Sequence, residues 1–329
     1  MTTLKGLLRP LSATIFATLL LLPPNGAKAQ APAYPSDNVH FICGFAAGSG
    51  ADIIVRFFAN KMQAILGKTV IVENKPGAIG NIATEYVARA KPDGYTVYVT
   101  SGDALATNMH IFKTPTVDVI KQLQIVTTIN RMPMMIAVSI SSPYKTVDEL
   151  TKAMKEKGDK ASYATTNPPA RVVGAMYKTT GGLSSVEIQY KTTADTLNDV
   201  TSGAVDYAIY DPVFATIQAR QGKIRILAVA TGERLKSAPE YPTMTELGYK
   251  MNLVSWWGAM VPTGTPQPIV EKLRDGFAQI IASEDGKKFL GSIASDPWII
   301  GSEEAQQYWR KEVDDWREYV RLAKIEPQG

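Results

Sequence analysis

Beyond residue 34 the chain alternates short β-rich apolar runs with stretches whose apolar residues recur at helical spacing. Val39–Phe45 reads as a strand. Ile54, Phe58, Met62 and Ile65 follow near helical spacing, and Gly67 is a plausible stop. Thr69–Glu73 is the next strand, Gly80–Ala90 a helix and Tyr95–Thr100 another strand. This βαβαβ order predicts a parallel sheet with right-handed crossovers. A second set starts near residue 134. Met134–Ser139, Ser162–Thr165, Val186–Tyr190, Val205–Tyr210 and Arg225–Ala230 read as strands. Val147–Lys157 and residues 169–179, 193–202 and 212–221 read as the helices between them. Trp256–Val261 is a further β-rich run. Three helices finish the chain: Pro268–Ala282, Glu284–Ala294 and Glu303–Ala323. The last carries mixed charges and an apolar stripe of Trp309, Val313, Trp316 and Val320, which suits packing on the outside of a domain.

The pattern is α/β, and no composition-marked linker separates the two sets of strands. The chain is therefore expected to cross between two domains more than once. Residues 30–133 with 256–329 would form domain 1, and residues 134–255 domain 2. A ligand would sit in the cleft, at the carboxyl ends of the strands.

Residues 1–29 read as an export signal instead of a folded element. Lys5 and Arg9 precede the apolar run Leu11–Leu22, whose 12 residues are too few to span a bilayer as a helix. Pro23-Pro24-Asn25-Gly26 breaks the run, and Ala27-Lys28-Ala29 is a small-x-small cleavage site ahead of Gln30. No twin-arginine pair precedes the run, which favours general secretion, and no cysteine stands at the cleavage site. The expected compartment is the periplasm.

Cleavage changes the charge balance. The chain has 35 basic and 31 acidic residues; the signal removes Lys5, Arg9 and Lys28 and leaves 32 against 31. That near-neutral balance argues against a nucleic-acid partner, which would need a concentrated basic patch. The single cysteine, Cys43, lies in an apolar run and reads as a buried structural thiol. Two histidines, His40 and His110, are too few for most metal sites and offer no obvious base. No metal or cofactor is expected.

Four loops are candidates for chemistry. The first strand ends in Gly44-Phe45-Ala46-Ala47-Gly48-Ser49-Gly50-Ala51-Asp52 ahead of a helix. Glycines, a serine hydroxyl and free N–H groups at a helix start suit an anion. A tight turn with Asp52 as helix cap fits the same residues. The Walker lysine and the third glycine of a dinucleotide fingerprint are both missing. Thr100-Ser101-Gly102-Asp103-Ala104 follows the third strand and would face the same cleft edge. Thr165-Thr166-Asn167-Pro168-Pro169-Ala170-Arg171 opens another helix. Arg171 in that first turn opposes the helix dipole, a placement that a ligand carboxylate held by two parallel bonds would explain; an exposed arginine or an ion pair with an acid in the other domain fits the same position. Asp211, in Tyr210-Asp211-Pro212, is a cap or a ligand contact. One of Trp256 and Trp257 could wall the cleft, with Trp256 taken as the candidate, though buried core is the default for tryptophan in a strand. Ser49 and Ser101 have no histidine beside them in the motifs, so an exported hydrolase would have to assemble its site from scattered residues.

Several segments resemble the periplasmic receptors of tripartite tricarboxylate transporters, the Bug proteins. They are Phe45–Asp52, Val72-Glu73-Asn74-Lys75-Pro76-Gly77-Ala78-Ile79-Gly80-Asn81, Pro92-Asp93-Gly94-Tyr95-Thr96, Tyr190-Lys191, Gly203–Asp206 and Gly222-Lys223-Ile224-Arg225. Pro242–Gly248, Trp256-Trp257-Gly258 and Pro262–Pro266 complete the set, in the family's order and spacing. The resemblance implies a two-domain periplasmic binding protein, a Venus flytrap with two interdomain crossovers. It implies that a ligand carboxylate is held by the first strand-to-helix loop and by the counterpart near Thr165–Asn167, partly through water. Membrane subunits of the transporter, or a membrane sensor, would be the partners. The chain departs from the family where the usual Pro-Pro-Gly-Gly is Ala46-Ala47-Gly48-Ser49, where Ser-Gly-Thr is Gly102-Asp103-Ala104, and where Pro168, Pro169 and Arg171 replace small residues. The resulting expectation is a small carboxylate ligand with a second polar or charged end held by Arg171. Phe45, Tyr190, Tyr210 and Trp256 would be apolar walls, and terephthalate the first aromatic dicarboxylate to try.

Overall fold

The computed structural model describes residue 2 and residues 34–329. Apart from residue 2, the expected export signal lies outside the described residues. The chain opens with β1 (Val39–Cys43), α1 (Gly50–Leu66), β2 (Val70–Asn74), α2 (Asn81–Ala88), β3 (Thr96–Ser101), α3 (Gly102–Ile111), α4 (Val119–Gln122) and β4 (Leu123–Pro133). One residue, Met134, separates β4 from β5 (Met135–Ser139). There follow α5 (Val147–Lys157), β6 (Ser162–Thr165), α6 (Pro168–Gly181), β7 (Val186–Gln189), α7 (Thr193–Ser202), β8 (Tyr207–Tyr210), α8 (Pro212–Arg220) and β9 (Ile224–Val229). Residues 230–253 lead back to β10 (Val254–Pro262), α9 (Gln267–Ala282), α10 (Glu284–Ser292), β11 (Asp296–Pro297) and α11 (Ser302–Leu322).

Two sheets result. The six-stranded sheet runs β11-β4-β10-β3-β1-β2 and the five-stranded sheet β7-β6-β8-β5-β9. The chain passes between them twice, at Met134 and across residues 230–253. The expected parallel order holds for β1 with β2 and β3, and for β6 with β7 and β8. It fails at the short edge strand β11, antiparallel to β4, and at one inner strand in each sheet. β10 is antiparallel to β3 and β4, and β5 is antiparallel to β8 and β9. These two strands arrive directly from the other sheet, so no crossover helix turns them into the parallel direction.

Four elements escape the sequence pattern: the short α4 and β11, and the longer α3 and β4. α3 buries residues 102–108 and Ile111, nearly its whole circumference, so it has no polar face to mark a helical period. β4 holds Thr127, Thr128 and Asn130 fully buried among apolar neighbours. Asn130 Nδ2 donates to Ser295 Oγ at 2.6 Å, and the Thr128 hydroxyl accepts from Ile300 N at 3.0 Å. Cross-element bonds thus engage the Asn130 amide nitrogen and the Thr128 hydroxyl, polar groups that would otherwise read as a loop, while Asn130 Oδ1 stays without a partner.

Helix α1 shows how the rest is held. Ile54, Phe58 and Met62 are buried along one face. Each such side chain contributes about 1.5–3 kcal/mol on leaving water. Phe58 packs near Phe277 of α9, which stacks on Phe41 of β1 at 5.7 Å. Cys43 is fully buried and its thiol is pushed up to about 12 by burial, which fits a packing role. α11 lies on α3 and β4 with Trp309, Trp316 and Val320 inside. Unexpectedly, Glu312 is buried on the same face.

Candidate functional site

Five helices begin at the carboxyl ends of strands and surround one cavity of about 240 Å³. It lies between the two sheets. The N-cap residue of every one of these helices lines it: Ser49 of α1, Ser101 of α3, Asn167 of α6, Thr192 of α7 and Asp211 of α8. Each cap accepts a backbone N–H three residues on, at 3.3, 3.2, 2.9, 3.2 and 3.0 Å respectively. The positive ends of five helix dipoles therefore meet at one place.

The five ends are not equivalent. Pro168 and Pro169 open α6, and Pro212 opens α8. Proline has no N–H, so these two ends have lost donors that a ligand could use. The first-turn N–H groups left over by the helices belong to Gly50 and Ala51 at α1, Gly102 at α3, and Thr193 and Ala194 at α7; of these residues Ala51, Thr193 and Ala194 line the cavity. Between the donor ends the walls are apolar, formed by Phe45, Ile54, Met132, Met134, Phe214 and Trp257. Among the described residues Lys191 is the only basic one in the lining and Asp211 the only acid. Burial raises the Asp211 carboxyl above its ordinary range.

The first loop is braced from behind. Asp52 accepts Gly48 N–H at 2.9 Å, Arg56 Nε at 2.8 Å and Asn74 Nδ2 at 2.8 Å. Burial opposes the charge on Asp52, but the bonds from Arg56, Gly48 and Asn74 outweigh it and hold the carboxyl below its usual range. The loop also meets the opposite lobe. A Cβ placed on Gly50 would lie 2.2 Å from Asp211 Oδ1 and 2.9 Å from Val213 Cβ. Only glycine permits this approach.

Ten of the expected residues line the cavity: the run Phe45 to Ser49, then Ser101, Ala104, Thr166, Asn167 and Asp211. Eight do not, and each has another engagement. Asp52 braces the loop as described. Gly102 lies beneath an indole: a Cβ there would fall 1.9 Å from Trp256 Cζ2. Asp103 is fully buried and accepts Ser101 Oγ at 2.5 Å, with Ser255 Oγ on its other oxygen. Thr165 donates to Glu187 Oε1 at 2.7 Å. Arg171 meets an acid instead of the cavity. Its Nε lies 3.2 Å from Glu187 Oε1, and the Gln189 amide oxygen accepts from Nε and Nη2 at 3.2 and 3.0 Å. Tyr190 donates to Asp199 at 2.5 Å. Tyr210 accepts from Thr196 at 3.1 Å. Trp256 is core, with Nε1 on Glu312 at 2.5 Å and Trp309 packed edge-on. The next residue, Trp257, points to the other face of the strand and walls the cavity beside Phe45.

The main omission from the sequence reading is the segment Lys191-Thr192-Thr193-Ala194. Its signal was present: Thr192 followed by Asp195 is a cap pattern at a strand-to-helix turn, like Ser49 followed by Asp52. Neither histidine is in the lining with Ser49 and Ser101. His40 pairs with Glu73 and His110 with the Val313 carbonyl. Among the described residues no helix is long and apolar enough to cross a membrane.

Comparison with known proteins fits this geometry. The family described as the tripartite tricarboxylate transporter family receptor matches residues 54–324. A UPF0065 protein of Bordetella bronchiseptica is 29% identical over 331 residues, covering 98% of this chain and 96% of that protein. The periplasmic binding protein BugD has a solved structure that is 31% identical, with a TM-score of 0.83 over 90% of this chain and 100% of that one. A protein of R. palustris, Rpa4515, solved with adipate, is 27% identical, with a TM-score of 0.85 over 90% of this chain and 100% of that one. The fold is the two-domain Venus flytrap, and the chain belongs to the solute-binding receptors of the tripartite tricarboxylate transporter family.

Proposed function

We propose that this protein captures a small dicarboxylate in the periplasm and presents it to the membrane subunits of a tripartite transporter. The observation that carries this reading is the convergence of five helix N-termini on one apolar-walled cavity, three of them with first-turn N–H groups left over by the helix. One carboxylate meets the N–H end of α1 and the Ser101 cap of α3 on the first lobe. The other meets Thr193 and Ala194 of α7, with Lys191 beside them, on the second lobe. A ligand bound in this way bridges the lobes and favours their closure. The apolar walls take the spine between the charges. Adipate, the ligand of the related R. palustris structure, has that form, so a linear dicarboxylate is preferred over terephthalate as the first trial. A cavity of about 240 Å³ favours a small ligand.

The test is a thermal-shift and calorimetric panel of aliphatic monocarboxylates, linear dicarboxylates including adipate, and terephthalate. Stabilisation by dicarboxylates above the matching monocarboxylates is expected. A melting temperature unmoved by every carboxylate refutes the reading. Deletion of the gene should abolish uptake of the ligand; persistence of uptake would favour a sensory partner.

A further inference from the structure

We infer that Asp103 sets the direction of the Ser101 hydroxyl and thereby couples carboxylate capture to the uptake of a proton. This rests on the dicarboxylate reading above.

Ser101 is part of the cavity wall, yet its one proton is committed inward. Its Oγ accepts Ala104 N–H at 3.2 Å and donates to Asp103 Oδ1 at 2.5 Å. A hydroxyl arranged in this way offers the cavity only a lone pair, and a lone pair repels a carboxylate. If Asp103 takes up a proton on Oδ1, the donor and acceptor exchange. Asp103 O–H then donates to Ser101 Oγ, and Ser101 O–H turns to donate to the ligand carboxylate. The balance is one proton from solvent per ligand bound, with no covalent bond to carbon made or broken.

The surroundings of Asp103 suit such an exchange. Its other oxygen accepts Ser255 Oγ, and Trp256 N lies 3.4 Å from Oδ1. The neighbouring strand β10 presents only these non-titrating groups. α11 presents Glu312, bonded to Trp256 Nε1, and Tyr308. Arg131 of β4 is turned onto the ring of Trp298, 4.1 Å from its centre. Among the described residues no basic group forms an ion pair with Asp103 or Glu312. Two buried carboxyls without a counter-charge cannot both ionise cheaply. Burial pushes Asp103 up to about 6, and burial together with the Asp103 charge raises Glu312 well above its ordinary range. Asp103 is thus poised to change its protonation under ordinary conditions, as a positioning residue acting through Ser101.

The experiment is titration calorimetry with adipate at pH 6.5, 7.5 and 8.0 in buffers of different ionisation enthalpy, where adipate itself is fully ionised. The wild type should take up close to one proton per adipate at the upper pH values. Its Kd should rise by up to roughly tenfold per pH unit there. Asp103→Asn supplies an amide donor to Ser101 at every pH, so proton uptake should vanish and the Kd should become flat with pH. Ser101→Ala keeps the acid and removes the relay, and should also abolish the uptake. Absence of proton uptake in the wild type overturns the inference, as does uptake that persists in Ser101→Ala. If no carboxylate in the panel binds at any pH, the functional reading itself has failed, and that result is distinct from binding without proton uptake.

Discussion

Gly50 is where the two lobes can be separated experimentally. Its Cα faces Asp211 and Val213 so closely that an alanine Cβ would sit 2.2 Å from the Asp211 carboxylate oxygen and 2.9 Å from Val213 Cβ. Contacts this short are not tolerated, and one of the two sides has to move. Overpacking of a fitted contact costs about 1–3 kcal/mol. Gly50 is the first residue of α1 and has no left-handed φ, so alanine suits its backbone and is no worse as a helix former. The penalty therefore falls on the contact between lobes alone. A receptor that opens when unliganded escapes the penalty in that state and pays it on closing around ligand. The expected result for Gly50→Ala is a Kd for adipate weakened about 5- to 150-fold, the fold-change corresponding to 1–3 kcal/mol. The unliganded melting temperature should move by less than about 2 °C. Calorimetry and thermal melts on the same preparation give both numbers. An unchanged Kd would refute the role of this contact in the liganded receptor. A large fall in the unliganded melting temperature would show that the contact belongs to the ground state and that closure is not what the substitution reports.

Three further outcomes follow from the same geometry. Arg171→Ala should lower the melting temperature by a few degrees, because it strands the half-buried Glu187 at a cost of about 1–3 kcal/mol. Its Kd for adipate should stay within about twofold by calorimetry. Glu312→Gln should raise stability relative to wild type at pH 8, with the difference shrinking toward pH 4 in thermal melts. The sign follows from the raised folded-state acidities of Glu312 and Asp103: the folded chain holds protons that the unfolded chain releases, so wild-type stability falls as pH rises above the ordinary carboxylate range. Asp52 has the opposite sign, since its carboxyl is held low in the fold; its stabilisation is present above the ordinary carboxylate range and is lost as pH falls through the folded value. Asp52→Asn should accordingly loosen the first loop at neutral pH, seen as faster hydrogen exchange at Gly48 N–H and a roughly tenfold weaker Kd.

Most of the frame was legible because strands and amphipathic helices leave a period in the sequence. α3 and β4 left none, one buried all round and the other carrying threonines and an asparagine into the interior. Some of their polar groups meet residues distant in sequence, as Asn130 Nδ2 meets Ser295, and no local pattern can announce such a partner. The site divides in the same way. Of its caps, Asp211 was read as one; at α1 the cap was read as Asp52, whereas Ser49 holds that place and Asp52 is the third residue of the helix. The partner of Arg171 was not. A cation in the first turn of a helix does need an anion, but Glu187 of the adjacent strand supplies it, and a sequence cannot tell a protein carboxylate from a ligand's. For Trp256 and Trp257 the pleat requires opposite faces without saying which one is core.

The prolines carry more than helix punctuation. Pro168 and Pro169 were well placed as the opening residues of a helix, and so they are. The same placement deletes the N–H groups that make a helix end useful to an anion, and Pro212 does so again at α8. Had all five ends kept their donors, one anion could be held in several positions and the cavity would discriminate poorly between ligand lengths. With donors confined to α1 and α3 on one lobe and to α7 on the other, a ligand with charge at one end only engages one lobe. A dicarboxylate of matching span engages both. Selection by length then becomes the same event as closure, because only the ligand that reaches both donor sets gives the closed form a binding advantage over the open one.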